Sequence, residues 1–369
     1  MVRVAVLKVD NYDKEMVSRA IEEGFFLLGL GNSFFKEKKV LLKPNLLVPT
    51  PIERAVCSHP FILAGAAALV MKMNGKAEVG DSPGFGSVFK AAESCGIARC
   101  LRELEIPLVS FEDIVEVKFP QGKVCKKFPL CRPAVNADMV ISIARLKTHN
   151  LTRYTGAVKN LYGCIPGRNK AALHFRYKDV NNFSIMLSDL LGLINPALSI
   201  VDGIVSMEGP GPRRGNPRKT GFLVMSEDAV AADVVSCKLV GINPKEVLHL
   251  KFAGEMGFGE ADYNELELVG DKADDLKVKD FEQAEGSTLA TGYIPSFLVS
   301  VLRNHFIPLP HIIAQKCRGC NICVESCPAG IIKMGRTAQI DEDKCIRCYC
   351  CQELCPHEAI ILKRRLRLK

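Results

Sequence analysis

Eight of the sixteen cysteines fall in two copies of one spacing: Cys317, Cys320, Cys323 and Cys327 before Pro328, and Cys345, Cys348, Cys351 and Cys355 before Pro356. Each copy reads C-x2-C-x2-C-x3-C-P. Three thiolates so close in sequence fold around one iron–sulfide cube, and the fourth ligand of each cube comes from the other copy. The spacing therefore predicts two [4Fe-4S] clusters. Cys317, Cys320, Cys323 and Cys355 hold the first; Cys345, Cys348, Cys351 and Cys327 hold the second. Pro328 and Pro356 end the loops with a fixed φ and no N–H to satisfy. Zinc would take its four ligands as two pairs, and a disulfide framework belongs to secreted chains. The copies lie 28 residues apart, and Glu325 with Glu353 and Ile332 with Ile360 repeat too, as an internal duplication would give. Cys350 is surplus to the ligand set and is expected to pack against the loops.

A second group of residues suited to chemistry gathers where predicted strands stop: Lys43 and Asn45, Asp81 and Ser82, Lys147 and His149, and Asp202. Ligands of open parallel sheets collect beyond those carboxyl ends. Lys147 and His149, two apart, point to one side if the chain is still extended. Arg153, Thr155, Lys159 and Asn160 follow, with Thr155 and Lys159 on one face if this piece is helical. Gly163, Gly167, Arg168, Lys170 and His174 come next in a turn-rich run. So many cations, amides and glycines together predict a pocket for an anionic group such as a carboxylate or phosphate. Any one of these side chains could instead line a solvated loop. In the pocket, Lys147, Lys159 and Arg168 would bind the anion, and His149, titrating near neutrality, would carry a proton. Asp81 and Asp202 would orient the cations or hold a metal. Glu208, among Gly209, Gly211 and Gly215, reads as a lid, a cation ligand or a plain turn. Asp233 reads as a helix-end charge or a lysine's partner, and Cys164 as the reactive-thiol candidate; Cys57, Cys95, Cys100, Cys125, Cys131 and Cys237 are expected in the core. Nucleotide fingerprints fail: Phe89 stands where G-x-G-x-x-G needs its third glycine, and 163–170 does not fit a P-loop.

These residues need a scaffold. Periodicity predicts strands at 2–9, 39–42, 77–80, 137–146, 198–201 and 222–225, and helices at 14–30, 61–73, 87–104, 183–193 and 228–240. Short β-rich runs near Leu108, Val117 and Val124 read as an insertion or an antiparallel edge, and 207–215 as a Gly/Pro-rich loop. Alternating strands and helices predict an α/β large domain with a mainly parallel sheet over 1–290. A linker at 291–310, with the apolar piece 297–302, would join it to a small α+β ferredoxin-like domain at 311–369. The charged run 271–282 reads as surface.

Composition sets outer bounds. At 369 residues and 48% hydrophobic content the chain can bury a large core. No stretch reaches membrane-spanning length, and the alternating start lacks signal-peptide character, so a reducing, cytoplasmic and low-oxygen setting is expected. The formal charge of +8 falls to about +4 once two clusters with their thiolates bring roughly −2 each. With no Trp and little aromatic interleaving, nucleic-acid binding is not expected. The basic tail Lys363, Arg364, Arg365, Arg367 and Lys369 reads as a solvated end or a docking face for an acidic partner.

Several of these segments together resemble a known family: Leu42-Lys43-Pro44-Asn45-Leu46, Gly80-Asp81-Ser82-Pro83-Gly84, Leu146-Lys147-Thr148-His149, Thr155-Gly156-Ala157-Val158-Lys159-Asn160-Leu161-Tyr162-Gly163, Val201-Asp202-Gly203 and Met207-Glu208-Gly209-Pro210-Gly211-Pro212. The pattern, over about residues 3–259, resembles the domain-of-unknown-function 362 proteins, iron–sulfur centre proteins that often carry such a ferredoxin module. The resemblance implies that the strand-end residues form one site but supplies no substrate. The expectation is a ferredoxin-wired reductase with a redox partner protein and an organic cofactor still to be identified. The competing expectation is a non-catalytic electron carrier or cluster-delivery protein.

Overall fold

The structure, a computed structural model, describes residues 1–284 and 307–363, apart from the side chain of Arg168. Most of the expected linker and nearly all of the basic tail lie outside the described residues. The strands in chain order are β1 (Val2–Lys8), β2 (Lys39–Lys43), β3 (Lys76–Val79), β4 (Ile114–Lys118), β5 (Lys127–Cys131), β6 (Met139–His149), β7 (Arg153–Thr155), β8 (Leu198–Glu208), β9 (Asn216–Ser226) and β10 (Leu266–Gly270). β11 (Leu309–Ile312), β12 (Ile332–Met334), β13 (Ala338–Ile340) and β14 (Ile360–Lys363) belong to the cysteine-rich module.

The large sheet runs β10-β1-β9-β8-β6-β2-β3, with β7 folded back on β6. Its β1–β10, β2–β3, β2–β6 and β6–β8 pairs are parallel. β9 runs antiparallel to both β1 and β8. Strand residues alternate between two cores, as a pleat demands. Ala5, Leu7, Ile141, Ile143, Leu223 and Met225 face one core; Val4, Val6, Leu146, Phe222 and Val224 face the other. Helices Lys14–Leu27 and Pro60–Lys72 cover the first face, and Val180–Ile194, Ala229–Leu239 and Leu248–Glu255 the second. Capping matches the sequence: Asp13, Asp179 and Asp228 each accept an N–H of their helix's first turn.

Some expectations change. The helix expected over 87–104 is two, Val88–Ser94 and Ile97–Glu103, because Gly96 takes φ +79° between them. β4 and β5 form a separate hairpin. Leu108 makes only one bridge, to Val79. β8 does not stop at Asp202 but continues to Glu208, so the expected loop shrinks to a turn before β9. Thr155 is on β7, not on a helix with Lys159. No helix among the described residues is long and apolar enough to cross a membrane.

Candidate functional site

At the carboxyl edge of the sheet a cleft of about 1080 Å3 opens between the large domain and the cysteine-rich module. Its large-domain side carries Asn45, Asp81, Lys147, Thr155, Lys159, Asn160, Lys170 and His174. The module closes it with Ile322, Glu325, Ser326, Cys350, Glu353 and Leu354. Other hollows lie away from these groups, at the ends of β1 and the Leu248–Glu255 helix.

The floor is braced by a buried ion pair. Lys43, the last residue of β2, sets its Nζ 2.7 Å from Asp81 Oδ1 and also donates to Pro44 O at 2.7 Å and Asn160 Oδ1 at 3.2 Å. Asp81 accepts the N–H groups of Leu46 and Ser82 at 2.6 and 2.9 Å. Asn160 returns its Nδ2 to Lys43 O and Ser142 Oγ. A Cβ on Gly163 would lie 2.1 Å from Asp81 Oδ1 and 2.4 Å from Lys43 Nζ. Only glycine lets this chain segment pass so close to the pair.

Lys159 rides on a short turn of helix, Ala157–Asn160, that needs its own anchor. Asp233, fully buried in the Ala229–Leu239 helix, accepts Ala157 N at 2.7 Å, Val158 N at 2.9 Å and the Tyr154 hydroxyl at 3.0 Å. It partners a helix end rather than a lysine. Burial raises its pKa to about 7 even against these donors.

Lys147 donates to Asn45 Oδ1 at 2.5 Å and Val56 O at 2.8 Å and meets no carboxylate within ion-pair distance among the described residues. Burial above all, with help from Lys159 and Arg145, pulls its pKa down to about 7. Lys159, half-buried, makes no hydrogen bond or ion pair among the described residues, and burial lowers its pKa too. The Thr155 hydroxyl, buried at the same cleft, has no partner among them either. Two unpartnered donors on a buried floor are what an anionic ligand would satisfy. Lys170 adds a third cation near the rim; it donates to Ser82 O, and burial lowers its pKa to about 8.

The remaining expected residues divide. His149 does not line the cleft. Its Nδ1 accepts Leu151 N and Thr152 N, its Nε2 sits 3.4 Å from Glu353 Oε1 without hydrogen-bond alignment, and burial keeps it neutral, with a pKa well below the usual range. Asp202 is not a strand-end ligand; it is sealed in β8 with Arg145 at 3.3 Å and the Tyr12 hydroxyl at 2.9 Å. Glu208 accepts Glu282 N and faces Arg218, away from the cleft. Arg168 lies on the Gly167–Arg176 helix, its side chain outside the described residues. Cys164 is buried, and its pKa, pushed up to about 11, leaves the thiol protonated. All the other large-domain cysteines are buried as well.

In the module, Cys317, Cys320, Cys323 and Cys355 line one hollow. Burial and the neighbouring Cys355, Cys320 and Cys317 push Cys323 up to about 11. Cys351 is raised likewise by burial and by Cys348, Cys345, Cys327 and Cys323. Cys317, Cys320, Cys323 and Cys355, the set that the crossed spacing assigns to one cluster, share one hollow. Among the described residues no three Cys, His, Asp or Glu side chains converge as a single metal ion would need. Soft thiolates gathered in this way suit iron–sulfide cubes.

The cleft's far wall was not expected. Glu353 touches Lys147 and Lys159 electrostatically, and burial lifts its carboxyl to about 7 while both lysines pull against it. The repeated pair Glu325 and Glu353 both line the cleft, so the duplication carried a signal beyond its cysteines. Asn150 Nδ2 to Gln352 Oε1 at 3.2 Å, Arg213 to Glu353 O at 3.3 Å and Arg54 with Glu358 at 3.1 Å hold the module in place.

The fold and site thus define an α/β domain whose cationic strand-end cleft is capped by an iron–sulfur module. A family described as "Domain of unknown function (DUF362)" matches residues 40–238, and the chain belongs to it. A 4Fe-4S dicluster domain matches residues 316–359. The "Thylakoid-associated protein sll1697" of Synechocystis sp. is 39% identical over 220 residues, 59% of this chain and 68% of that protein. Among solved structures, the lactate racemase apoprotein from Thermoanaerobacterium thermosaccharolyticum aligns with a TM-score of 0.41 at 13% identity. That alignment covers 67% of this chain and 58%, less than two thirds, of that one; so shallow a likeness says nothing about activity.

Proposed function

We propose that this iron–sulfur electron-transfer protein is a ferredoxin-wired reductase whose acceptor is an anionic small molecule bound in the cleft. One observation carries the reading: the cleft's walls are Lys147, Lys159 and Thr155 on one side and the cluster-bearing Cys350–Leu354 helix on the other. The first cluster takes Cys317, Cys320, Cys323 and Cys355; the second takes Cys345, Cys348, Cys351 and Cys327. When bound, each cluster supplies one electron at a time. Cys348 lies close enough to the cleft-lining Tyr162 to help raise its pKa, which favours the second set of ligands as the nearer electron donor. Cys320 is exposed, where a redox partner protein could reach the first set.

On this reading Lys159 and Thr155 bind the anionic group. Lys147, poised near pH 7, holds or releases a proton, and the neutral His149 packs beside Glu353. Saturation of one C=C or C=O bond would take two electrons, one from each cluster, and two protons, of which Lys147 would give one and solvent the other. The setting is a reducing cytoplasm. Exposure of Cys320 also favours a second reading, in which the module only relays electrons between proteins.

The test is anaerobic. Holoprotein is reduced, excess reductant removed, and cluster absorbance followed on mixing with enoyl and keto carboxylates and with their uncharged amides. Saturable reoxidation by the carboxylates and little by the amides supports the reductase. Retained electrons with every small molecule, and loss only to a partner protein, establishes the relay.

A further inference from the structure

The cleft changes character from floor to mouth. Its floor is polar and buried: Lys147, Thr155 and Asn160 are all at most 5% exposed. Its walls carry the apolar Leu47, Val88, Phe111 and, from the module, Ile322 and Leu354, interspersed with the polar Ser87, Ser110, Glu112, Glu325 and Ser326. At the mouth Phe85 is 41% and Ile114 48% exposed. Single exposed apolar side chains are ordinary, but two that line one pocket beside its buried apolar walls mark a surface that a ligand could cover.

A small anion such as acetate or phosphate would satisfy Lys159 and Thr155 and leave this apolar collar in water. We infer that the ligand is an amphiphile: a carboxylate head on the lysine floor, and an apolar body lying along Leu47, Phe111 and Leu354 and leaving between Phe85 and Ile114. The inference rests on the anionic site proposed above and adds the class of molecule. A pocket mostly apolar in lining, with a few converging polar groups, is the usual architecture for such ligands. The charge gradient also fixes the direction of entry. The head goes in first, since a tail at the floor would strand the Lys159 ammonium without a partner.

The test measures binding alone, on oxidised holoprotein, by calorimetry with straight-chain carboxylates from butanoate to decanoate below their micellar concentrations. Inorganic phosphate and alkyl trimethylammonium ions of matched length serve as controls. The expected result is affinity rising by roughly fourfold per methylene, the equivalent of ~0.8 kcal/mol for each buried CH2. Lys159→Gln lowers affinity at every length and keeps the slope. Ile114→Ser, which adds no charge, flattens the slope for the longer chains and weakens them more than it weakens butanoate. Affinity independent of length, or equal binding of the cationic series, overturns the inference. Tight phosphate binding that longer carboxylates cannot displace also overturns it, yet leaves an anionic site standing. Failure of electron transfer with an intact length dependence removes the reductase reading instead.

Discussion

Gly156→Ala tests whether the cleft's cationic floor depends on a close backbone approach. A Cβ at this position would lie 2.0 Å from Asp233 Oδ1 and 2.2 Å from the Tyr154 hydroxyl. Neither group can retreat, since both side chains are fully buried. If Asp233 swings away, Ala157 N and Val158 N lose a carboxylate acceptor. Hydrogen bonds to charged groups contribute about 1.5–3 kcal/mol each, so losing two costs about 3–6 kcal/mol. At roughly 2–4 °C per kcal/mol for a domain of this size, the melting temperature should fall by about 10 °C. The assay is scanning calorimetry at pH 8, where Asp233 is ionised, with far-UV circular dichroism for residual helix. Gly31→Ala is the control: a Cβ there meets nothing within 4 Å, and the expected change is within about 0.5 kcal/mol. A second readout is carboxylate affinity, which should drop with Gly156→Ala because Lys159 sits on the turn that Asp233 anchors. Equal stability of the two alanine variants, with unchanged affinity, would refute the reasoning.

The Lys43–Asp81 pair predicts a cost of about 3–5 kcal/mol for Lys43→Met alone, because a buried carboxylate loses its partner. Denaturant melts should show that Lys43→Met with Asp81→Asn costs less than the sum of the single changes. Lys147 predicts a pH dependence. Its pKa is lowered to about 7, so the ammonium form is complete below pH 6 and lost above pH 8. Carboxylate affinity should therefore fall as pH rises through 7, with proton uptake on binding at pH 8, and calorimetry in buffers of different ionisation enthalpy reads that proton directly. Lys147→Met should reduce the uptake to the part that Glu353, lifted to about 7 in the same cleft, contributes. Cys164, buried with a raised pKa, should resist alkylation in the native holoprotein and react once unfolded.

Much of this was legible in the chain. Alternation in β1 and β6 and the Asp caps announced the α/β layers, and the C-x2-C-x2-C-x3-C-P repeats announced the cluster module. The strand-end logic gathered Lys43, Asp81 and Lys147 at one edge, because residues leaving parallel strands must converge there, and the polar run after them supplied Lys159 and Asn160. The strand-end reading failed at Asp202, and at Glu208 the lid and cation readings gave way to the end of β8 facing Arg218. Nothing local in Val201-Asp202-Gly203 reveals that β8 continues, since the continuation is held by β9 and by burial of Arg145 against Asp202. His149 was misread for a related reason. Its neutral form follows from burial under the module, a long-range contact that spacing cannot show. Glu353 and Leu354 escaped notice as cleft residues because the cysteines around them explained the motif by themselves.

An anionic ligand bound in the cleft lies beside the clusters and feels their magnetism. This is measured by 19F relaxation of a saturated carboxylate carrying a terminal trifluoromethyl group, in exchange with holoprotein whose clusters are first oxidised and then reduced. Relaxation should quicken on reduction, when the clusters become paramagnetic, and the effect should be lost in Lys159→Gln with intact cluster spectra. Relaxation unchanged by reduction, or an enhancement that survives Lys159→Gln undiminished, would contradict this placement.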